Sequence, residues 1–530
     1  MQIYIFLPRK TRRRGDFGKN FFSFPEIRFF SVFLQFDTTS YNKHRKVMIT
    51  FIISVVLLLL GYFVYSKIIE KILGVDPAKA TPATTMADGV DYVPMKPWRI
   101  FLIQFLNIAG VGPIVGAIMG AQFGTASFLW IVFGCIFAGA VHDFISGFVS
   151  LREKGCSLPE IHGRYLGNGT KQIMRYFTVI LMILVGAVFV KTPAQLLISN
   201  FTPDWQLWIW PVIIFAYYML ATMLPIDKLI GRIYPVFGIL LLLMAVFVMC
   251  AFLFRPEVHL TEVWEGLANQ HPKADTNPIF PMLFVSIACG AISGFHATQS
   301  PMMARCMVNE KQTRPIFYGA MIAEGVVALI WAAAATYFFH DKADLCAGKS
   351  GDDMVGVIAN EWFTPVLAVV TVLGVIAAAI TTGDTALRSA RLILAETFKI
   401  DQRPIWKRFI VALPVFLLAG AILVYTFADA DGFQTIWRYF AWANQLLAMV
   451  TLWAITVYLT LYKKPYIITL VPALFMTMVC STFIIISDSG FGLPHTLSYI
   501  LGGVITLGAC VWFFIWKATK SEQLAKRLKM

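Results

Sequence analysis

About thirteen stretches of this sequence are apolar over the roughly twenty residues that a helix needs to cross a bilayer's hydrocarbon core: 49–68, 99–121, 126–150, 173–190, 207–224, 233–254, 279–303, 316–339, 364–387, 408–427, 436–461, 466–487 and 495–516. A chain with that pattern has few options. Lipid offers the backbone no hydrogen bonds, so each stretch must satisfy its own N–H and C=O groups as a helix. The connecting segments give an independent check. Those rich in Lys and Arg are 67–99, 151–175, 225–232, 304–314, 388–408, 462–464 and 517–530. Those poor in them are 121–125, 191–206, 428–435 and 488–494, while 255–278 and 340–363 are long and mixed. The two kinds alternate, as the positive-inside rule requires of an all-α polytopic membrane protein. That rule puts the C-terminus in the cytoplasm and starts the first helix outside.

Composition closes off other classes. Of the 530 residues 58% are hydrophobic and 14% charged, against about 25% charged in a soluble domain; the lipid bilayer is the main solvent. The net charge of +14 is scattered in short segments between apolar runs, with no continuous basic face to bind nucleic acid. The eight cysteines show no CxxC pair and no metal-ligand spacing, and Cys135, Cys250, Cys289, Cys480 and Cys510 read as small buried hydrophobes. No cofactor and no metal are expected. No G-x-x-x-x-G-K-[ST] loop occurs, so an ion gradient rather than ATP is the expected energy source. Residues 1–47 are basic ("PRKTRRRGDFGKN", "NKHRKV") and offer neither a span nor a signal-peptide cleavage site; they read as an over-extended start before Met48 or as a disordered extension. The loop Val75–Trp98, rich in Pro, Thr and Asp, reads equally as a solvated connector or as a gating or docking segment.

Two of the runs are hostile to a continuous helix. "NIAGVGPIVGAIMGAQFGT" begins at Asn107, and its Gly112–Pro113 removes a donor and disfavours helical geometry at the preceding residue. "SIACGAISGFHATQSP", Ser286 to Pro301, has the same chemistry in the seventh run. Glycines alone can mean close helix packing, but paired interruptions in corresponding spans point to a transporter's binding site, where freed N–H groups hold an anion and freed carbonyls a cation. The two breaks lie five helices apart, an odd number, so the halves around them have opposite orientation: spans two to six and seven to eleven form a 5+5 inverted repeat. The expected organisation is a leading helix and loop (48–98), a first repeat (99–254), a second (279–461), and two C-terminal helices with a basic tail (462–530). Substrate-binding residues are then expected at Asn107, Gly110, Gly112, Gly290, Ser293, Gly294, His296 and Gln299.

Ionisable residues inside spans are costly and are functional candidates by default. His142 and Asp143 are neighbours, about 100° apart around a helix, which argues against one shared narrow face. They can move protons or tie helices together. Glu324 lies near mid-helix. Thr381, Thr382 and Asp384 close the ninth run with hard oxygens suited to Na⁺ or a proton, and Arg388 stands four residues beyond Asp384, at ion-pair spacing. His142, Asp143, Glu324, Thr381, Thr382 and Asp384 are the expected ion-coupling residues; Asn444–Gln445 read as cavity lining or helix glue.

Six stretches carry a specific resemblance: "DGVDYVPMKPW", "NIAGVGPIVGAIMGAQFG", "FAGAVHDF", "ACGAISGFHATQSPMMARCM", "TTGDTALRSARLILAE" and "WANQLLA". Through them the chain resembles the carbon starvation protein A family of bacterial inner-membrane transporters. The resemblance implies a leucine-transporter-like fold of two inverted five-helix repeats with discontinuous helices. It also implies ion-driven uptake of a small-molecule substrate, a peptide or pyruvate, in carbon starvation, with a proton or sodium ion as partner. Rival readings are a nutrient sensor on a transporter fold, a membrane-embedded enzyme and a channel.

Overall fold

The computed structural model describes residues 48–89, 91–224, 230–255, 257–429 and 432–528; the expectation for 1–47 lies outside them. Among the described residues the regular structure is helical throughout. In chain order the principal helices are α1 (Ile49–Leu73), α2 (Pro97–Ile108), α3 (Gly112–Ala121), α4 (Ala126–Arg152), α5 (Leu158–Leu166) and α6 (Asn168–Phe201). There follow α7 (Ile209–Met223), α8 (Ile230–Phe254), α9 (Ile279–Ser286), α10 (Gly294–Ala304), α11 (Glu310–Asp341) and α12 (Pro365–Phe398). The last are α13 (Ile405–Ala428), α14 (Gly432–Leu461), α15 (Ile467–Ile486), α16 (His495–Thr519) and α17 (Ser521–Arg527). Among the described residues ten helices are long and apolar enough to cross a membrane, or eleven if α2 and α3 count as one bent span. The run 207–224 yields the 15-residue α7, and 279–303 yields two short helices, α9 and α10, of 8 and 11 residues.

Two helices run further than their apolar stretches. Both α6 and α12 are 34 residues long. The expectation that "TTGDTALRSARL" ends the ninth span is corrected: α12 continues to Phe398, with Thr381 to Arg391 inside it. Its buried basic residues use terminal guanidinium nitrogens to pair with neighbouring segments. Arg388 donates to the carbonyls of Leu224 (2.9 Å) and Ala221 at the end of α7, and Arg391 donates to Gln402.

Burial sorts the helices. The most apolar stretches of α4 and α11 are each 83% buried, whereas that of α16 is 17% buried, so α4 and α11 form the middle of the bundle and α16 its lipid-facing margin. The middle helices carry His142, Asp143 and Glu324.

The interruptions expected from sequence are present. Helix α2 stops at Ile108, Ala109 leaves helical geometry (ψ 48°), and α3 restarts at Gly112 with Pro113 in its first turn, bent by 45°. Proline fits there because the first turn has no intrahelical partner for its N–H. Helix α9 stops at Ser286, and α10 restarts at Gly294 after the extended Ser293 (φ −145°, ψ 125°). Between them Gly290 has φ +90°, and a Cβ there would come within 2.6 Å of the Ala328 Cβ.

The breaks pack on each other. Gly112, Gly116 and Gly120 repeat every four residues and form one face of α3. A Cβ on Gly112 would strike Cys289, one on Gly116 would meet the Ser286 carbonyl at 2.9 Å, and one on Gly120 would strike Ile287. Helix packing by small residues and helix interruption are therefore both true of this segment.

The described residues of Val75–Trp98 are largely exposed but are anchored to the bundle at several points. The Asp76 N–H donates to Glu310 (2.8 Å), which also accepts from Arg152 (2.7 Å). The Met95 N–H donates to the Cys306 carbonyl (3.1 Å), and the Arg305 guanidinium lies 5.1 Å from the Tyr92 ring centroid. Arg305 also binds Glu396 (2.5 Å) and the Gly155 carbonyl (2.8 Å), so this loop ties together the same-side ends of α4, α10 and α12.

Because Gly290 needs both its positive φ and its missing Cβ, Gly290→Val should lower thermal stability in detergent by about 1–3 kcal/mol. Gly508→Ala, a site with nothing within 4 Å, should not. Equal melting of the two variants would contradict the strained turn.

Candidate functional site

The site begins with the hydrogen bonds that each break leaves unmade. In the second break the Gly290 N–H is taken up by the Glu324 side chain, Oε1 at 2.9 Å. The Phe295 N–H, in the first turn of α10, donates to Asn444 Oδ1 (2.7 Å), which also accepts from Ser293 Oγ (3.0 Å). This helix start is therefore capped by a side chain rather than left free for an anion, as the sequence suggested. Gly294 lets α10 lie against the backbone of α14 at Asn444 and Ala448.

A buried chain of ionisable groups runs from Glu324. His296 Nε2 lies 3.4 Å from Glu324 Oε2, and His296 Nδ1 lies 2.9 Å from Asp143 Oδ2. The other carboxylate oxygen of Asp143 lies 2.7 Å from His142 Nδ1. All four residues are fully buried. Their sequence positions, 142, 143, 296 and 324, come from α4, α10 and α11. His142 and Asp143 do not need one shared narrow face to meet. The side chains of His142 and Asp143 reach across their 100° separation to each other, and Asp143 then reaches α10. His296 is no lone histidine. By contrast His162 on α5, outside the spans, is pushed down to about 3 by burial, with His142 a smaller cause, and is neutral at physiological pH.

The first break is held from α12. Thr382 Oγ1 donates toward the carbonyls of Leu106 (3.2 Å), Asn107 (3.4 Å) and Ala378 (3.0 Å). Thr381 Oγ1 bonds to the Ala378 and Ala377 carbonyls (2.9 and 3.1 Å), with Leu106 at 3.5 Å. Gly110 has no room for a Cβ because Thr382 fills the space. Both polar atoms of the Asn107 amide, and both of Gln104, are buried without a hydrogen-bond partner among the described residues.

Of the expected residues, Gly290, Ser293, His296, His142, Asp143 and Glu324 thus share one buried polar cluster with Gly294 packed beside it, Gly112 abuts it through Cys289, and Asn107, Thr381 and Thr382 share another with Gly110 packed on Thr382. Gln299 stands apart, donating to Thr298 (2.8 Å) with its Oε1 unpaired. Asp384 turns to α8, where it accepts from Tyr234 (2.8 Å); it makes no ion pair with Arg388, whose donors go to α7. Cys289 and Asn444 were not singled out for this cluster. Cys289 reads as one more apolar cysteine until the break turns its Sγ toward Ser293 (3.6 Å) and Asn444 (3.7 Å).

A cleft of about 280 Å³ opens at the end of the bundle opposite the docked loop, lined by Met119, Gln122, Met282, Ser286, Arg438 and Asp488. It reaches Ser286, the first residue of the second break's segment.

The model of the family described as carbon starvation protein CstA matches residues 46–204, 193–360 and 352–483. The chain is 28% identical over 555 residues to the peptide transporter CstA of Campylobacter jejuni, covering 80% of this chain and 78% of that one. It is 28% identical over 360 residues to the pyruvate/proton symporter BtsT of Escherichia coli, covering 56% of this chain and 50% of that one. Among solved structures, the manganese transporter of Eremococcus coleocola superposes with a TM-score of 0.52 at 15% identity, over 83% of this chain and 99% of that one. That likeness is one of fold.

A thermodynamic cycle checks the central contact. With Asp143→Asn and His296→Gln singly and together, the coupling energy from thermal unfolding in detergent should be about 1–3 kcal/mol. Additive losses would mean that the two side chains do not meet.

Proposed function

The chain belongs to the carbon starvation protein CstA family, and on that footing we propose that it is a secondary active transporter importing peptides or pyruvate across the bacterial inner membrane in symport with an ion. The observation that carries the reading is the meeting of two helix breaks, Gly112 against Cys289, beside a fully buried chain of four ionisable residues. Non-helical backbone at membrane depth persists where protein or a cavity covers it, and paired interruptions are where transporters of this architecture bind cargo.

The architecture proposed is a leucine-transporter-like 5+5 inverted repeat, 99–254 and 279–461, with 48–98 leading and 462–530 following. The interrupted pairs α2/α3 and α9/α10 open the two halves, which supports it. Loop charges support a cytoplasmic C-terminus. The cleft reaching Ser286 then faces outside, and the docked loop 75–98 closes the cytoplasmic end in this conformation. Substrate is held at Asn107, Gly110, Gly112, Gly290, Ser293, Gly294, His296 and Gln299. The unpaired amides of Asn107 and Gln104 and the free Gln299 oxygen are suited to a carboxylate or a peptide group, since a buried polar group without a partner costs about 1–3 kcal/mol.

The coupling ion is the proton, carried along His142, Asp143, His296 and Glu324. A specific observation favours Na⁺ as second reading: the hydroxyls of Thr381 and Thr382 and the carbonyls of Leu106 and Asn107 converge as hard oxygens. Asp384 lies one turn further along the same helix.

Uptake into proteoliposomes tests the reading, with pyruvate compared with di- and tripeptides and with proton and sodium gradients imposed separately. Saturable accumulation should require one gradient. Glu324→Gln should abolish gradient-driven accumulation while leaving exchange, His296→Ala should abolish gradient-driven accumulation, and Thr382→Val should impair only a sodium-driven component. Accumulation without a gradient, a channel-like conductance, or unchanged uptake in both Glu324 and His296 variants would overturn it.

A further inference from the structure

Three potential ligand atoms converge in the cluster, and two of them lack the partner that a buried polar atom needs. His296 Nε2 and Glu324 Oε2 lie 3.4 Å apart, yet neither makes a hydrogen bond among the described residues. Cys289 is a free thiol, and one ligand atom each from Cys289, His296 and Glu324 lies within 4.8 Å of the other two. All three residues are buried. We propose that Cys289, His296 and Glu324 bind a divalent transition-metal ion of the zinc class.

The remaining hydrogen bonds orient these atoms for that task. Asp143 engages His296 Nδ1, which leaves the Nε2 lone pair to face Glu324 and Cys289. A carboxylate behind a ligating imidazole fixes its tautomer and raises its basicity. The Gly290 N–H holds Glu324 Oε1, so that Oε2 is the oxygen presented. The Asn444 amide points a donor at the Cys289 sulfur (3.7 Å), as suits a thiolate. Gly112, having no side chain, leaves the thiol its space.

Distance and charge agree. Tetrahedral bonds of about 2.0–2.3 Å set ligand atoms about 3.3–3.6 Å apart. The His296–Glu324 separation already has that value, and the sulfur closes with a small shift. A thiolate, a carboxylate and a neutral imidazole carry two negative charges, which a divalent cation cancels in a medium that penalises net charge. The thiol proton leaves when the metal binds. Sulfur and nitrogen donors favour zinc, cobalt or nickel over Mg²⁺, Ca²⁺ and Na⁺. Three protein ligands leave a fourth position open to water or a substrate oxygen.

The proposal goes beyond the transport reading and does not rest on it. A metal here takes the lone pairs through which a proton would pass, so the loaded and empty proteins are distinct states. The test is binding without a gradient. Purified protein free of a polyhistidine tag is equilibrated with Co²⁺ alone, desalted, and examined by metal analysis and absorption. One Co²⁺ per chain is expected, with a thiolate-to-cobalt charge-transfer band that Zn²⁺ displaces. Cys289→Ser should abolish the band and His296→Gln weaken binding about tenfold or more, while Cys480→Ser should change neither. Zinc-edge X-ray absorption on the unaltered protein should find one sulfur among the ligands, which keeps the test independent of how the variants fold. No retained metal, a band that survives Cys289→Ser, or a shell of nitrogen and oxygen alone would overturn the assignment. None of these outcomes bears on whether the protein accumulates substrate.

Discussion

The Glu324 carboxylate gives the Gly290 N–H what a helical carbonyl would otherwise have given it. The site depends on that substitution. At membrane depth an unpaired backbone group costs several kcal/mol, so a helix can be interrupted only where a neighbour supplies the missing bonds. Helix α11 supplies Glu324 to the second break, α14 supplies Asn444 to the same break, and α12 supplies Thr381 and Thr382 to the first. The polar groups that make the site chemically active are thus the ones that make the interrupted fold possible.

Packing and polarity reinforce each other. The glycine face of α3 brings its backbone against residues 286–289, which places Cys289 beside Gly112 and leaves no room for lipid between the breaks. The ionisable chain lies in the deeply buried helices α4, α10 and α11, where charged groups persist only through mutual pairing. Asp143 provides that pairing twice, to His142 and to His296. The loop 75–98 is anchored to one end of the bundle by contacts made outside the apolar spans, Asp76 with Glu310 and Tyr92 with Arg305.

Much of this was legible in the sequence, for identifiable reasons. Gly112–Pro113 and the glycines of 286–294 mark the breaks because few other residues disrupt a helix locally. Helix lengths were less legible: Arg388 and Arg391 read as the end of a span, but they pair with carbonyls of α7 and with Gln402, contacts that no local pattern reveals. The same holds for Tyr234 at Asp384 and for Cys289, whose neighbours His296 and Glu324 come from other segments. His142 and Asp143 were visible as a pair, but the partner that Asp143 finds in His296 comes from another segment. Asn444 was visible as a polar pair with Gln445, but its two roles separate only in space: Asn444 caps α10, and Gln445 donates to the Phe284 carbonyl (2.8 Å).

The central claim is that cargo sits where the two interruptions face each other. A cryo-electron microscopy map of the protein in nanodiscs, saturated with pyruvate or a dipeptide, tests it most directly. The account predicts ligand density between Asn107–Gly112 and Ser286–Gly294, within reach of the Asn107 amide. Density at the lipid-facing margin, or a site walled off from both segments, would contradict it.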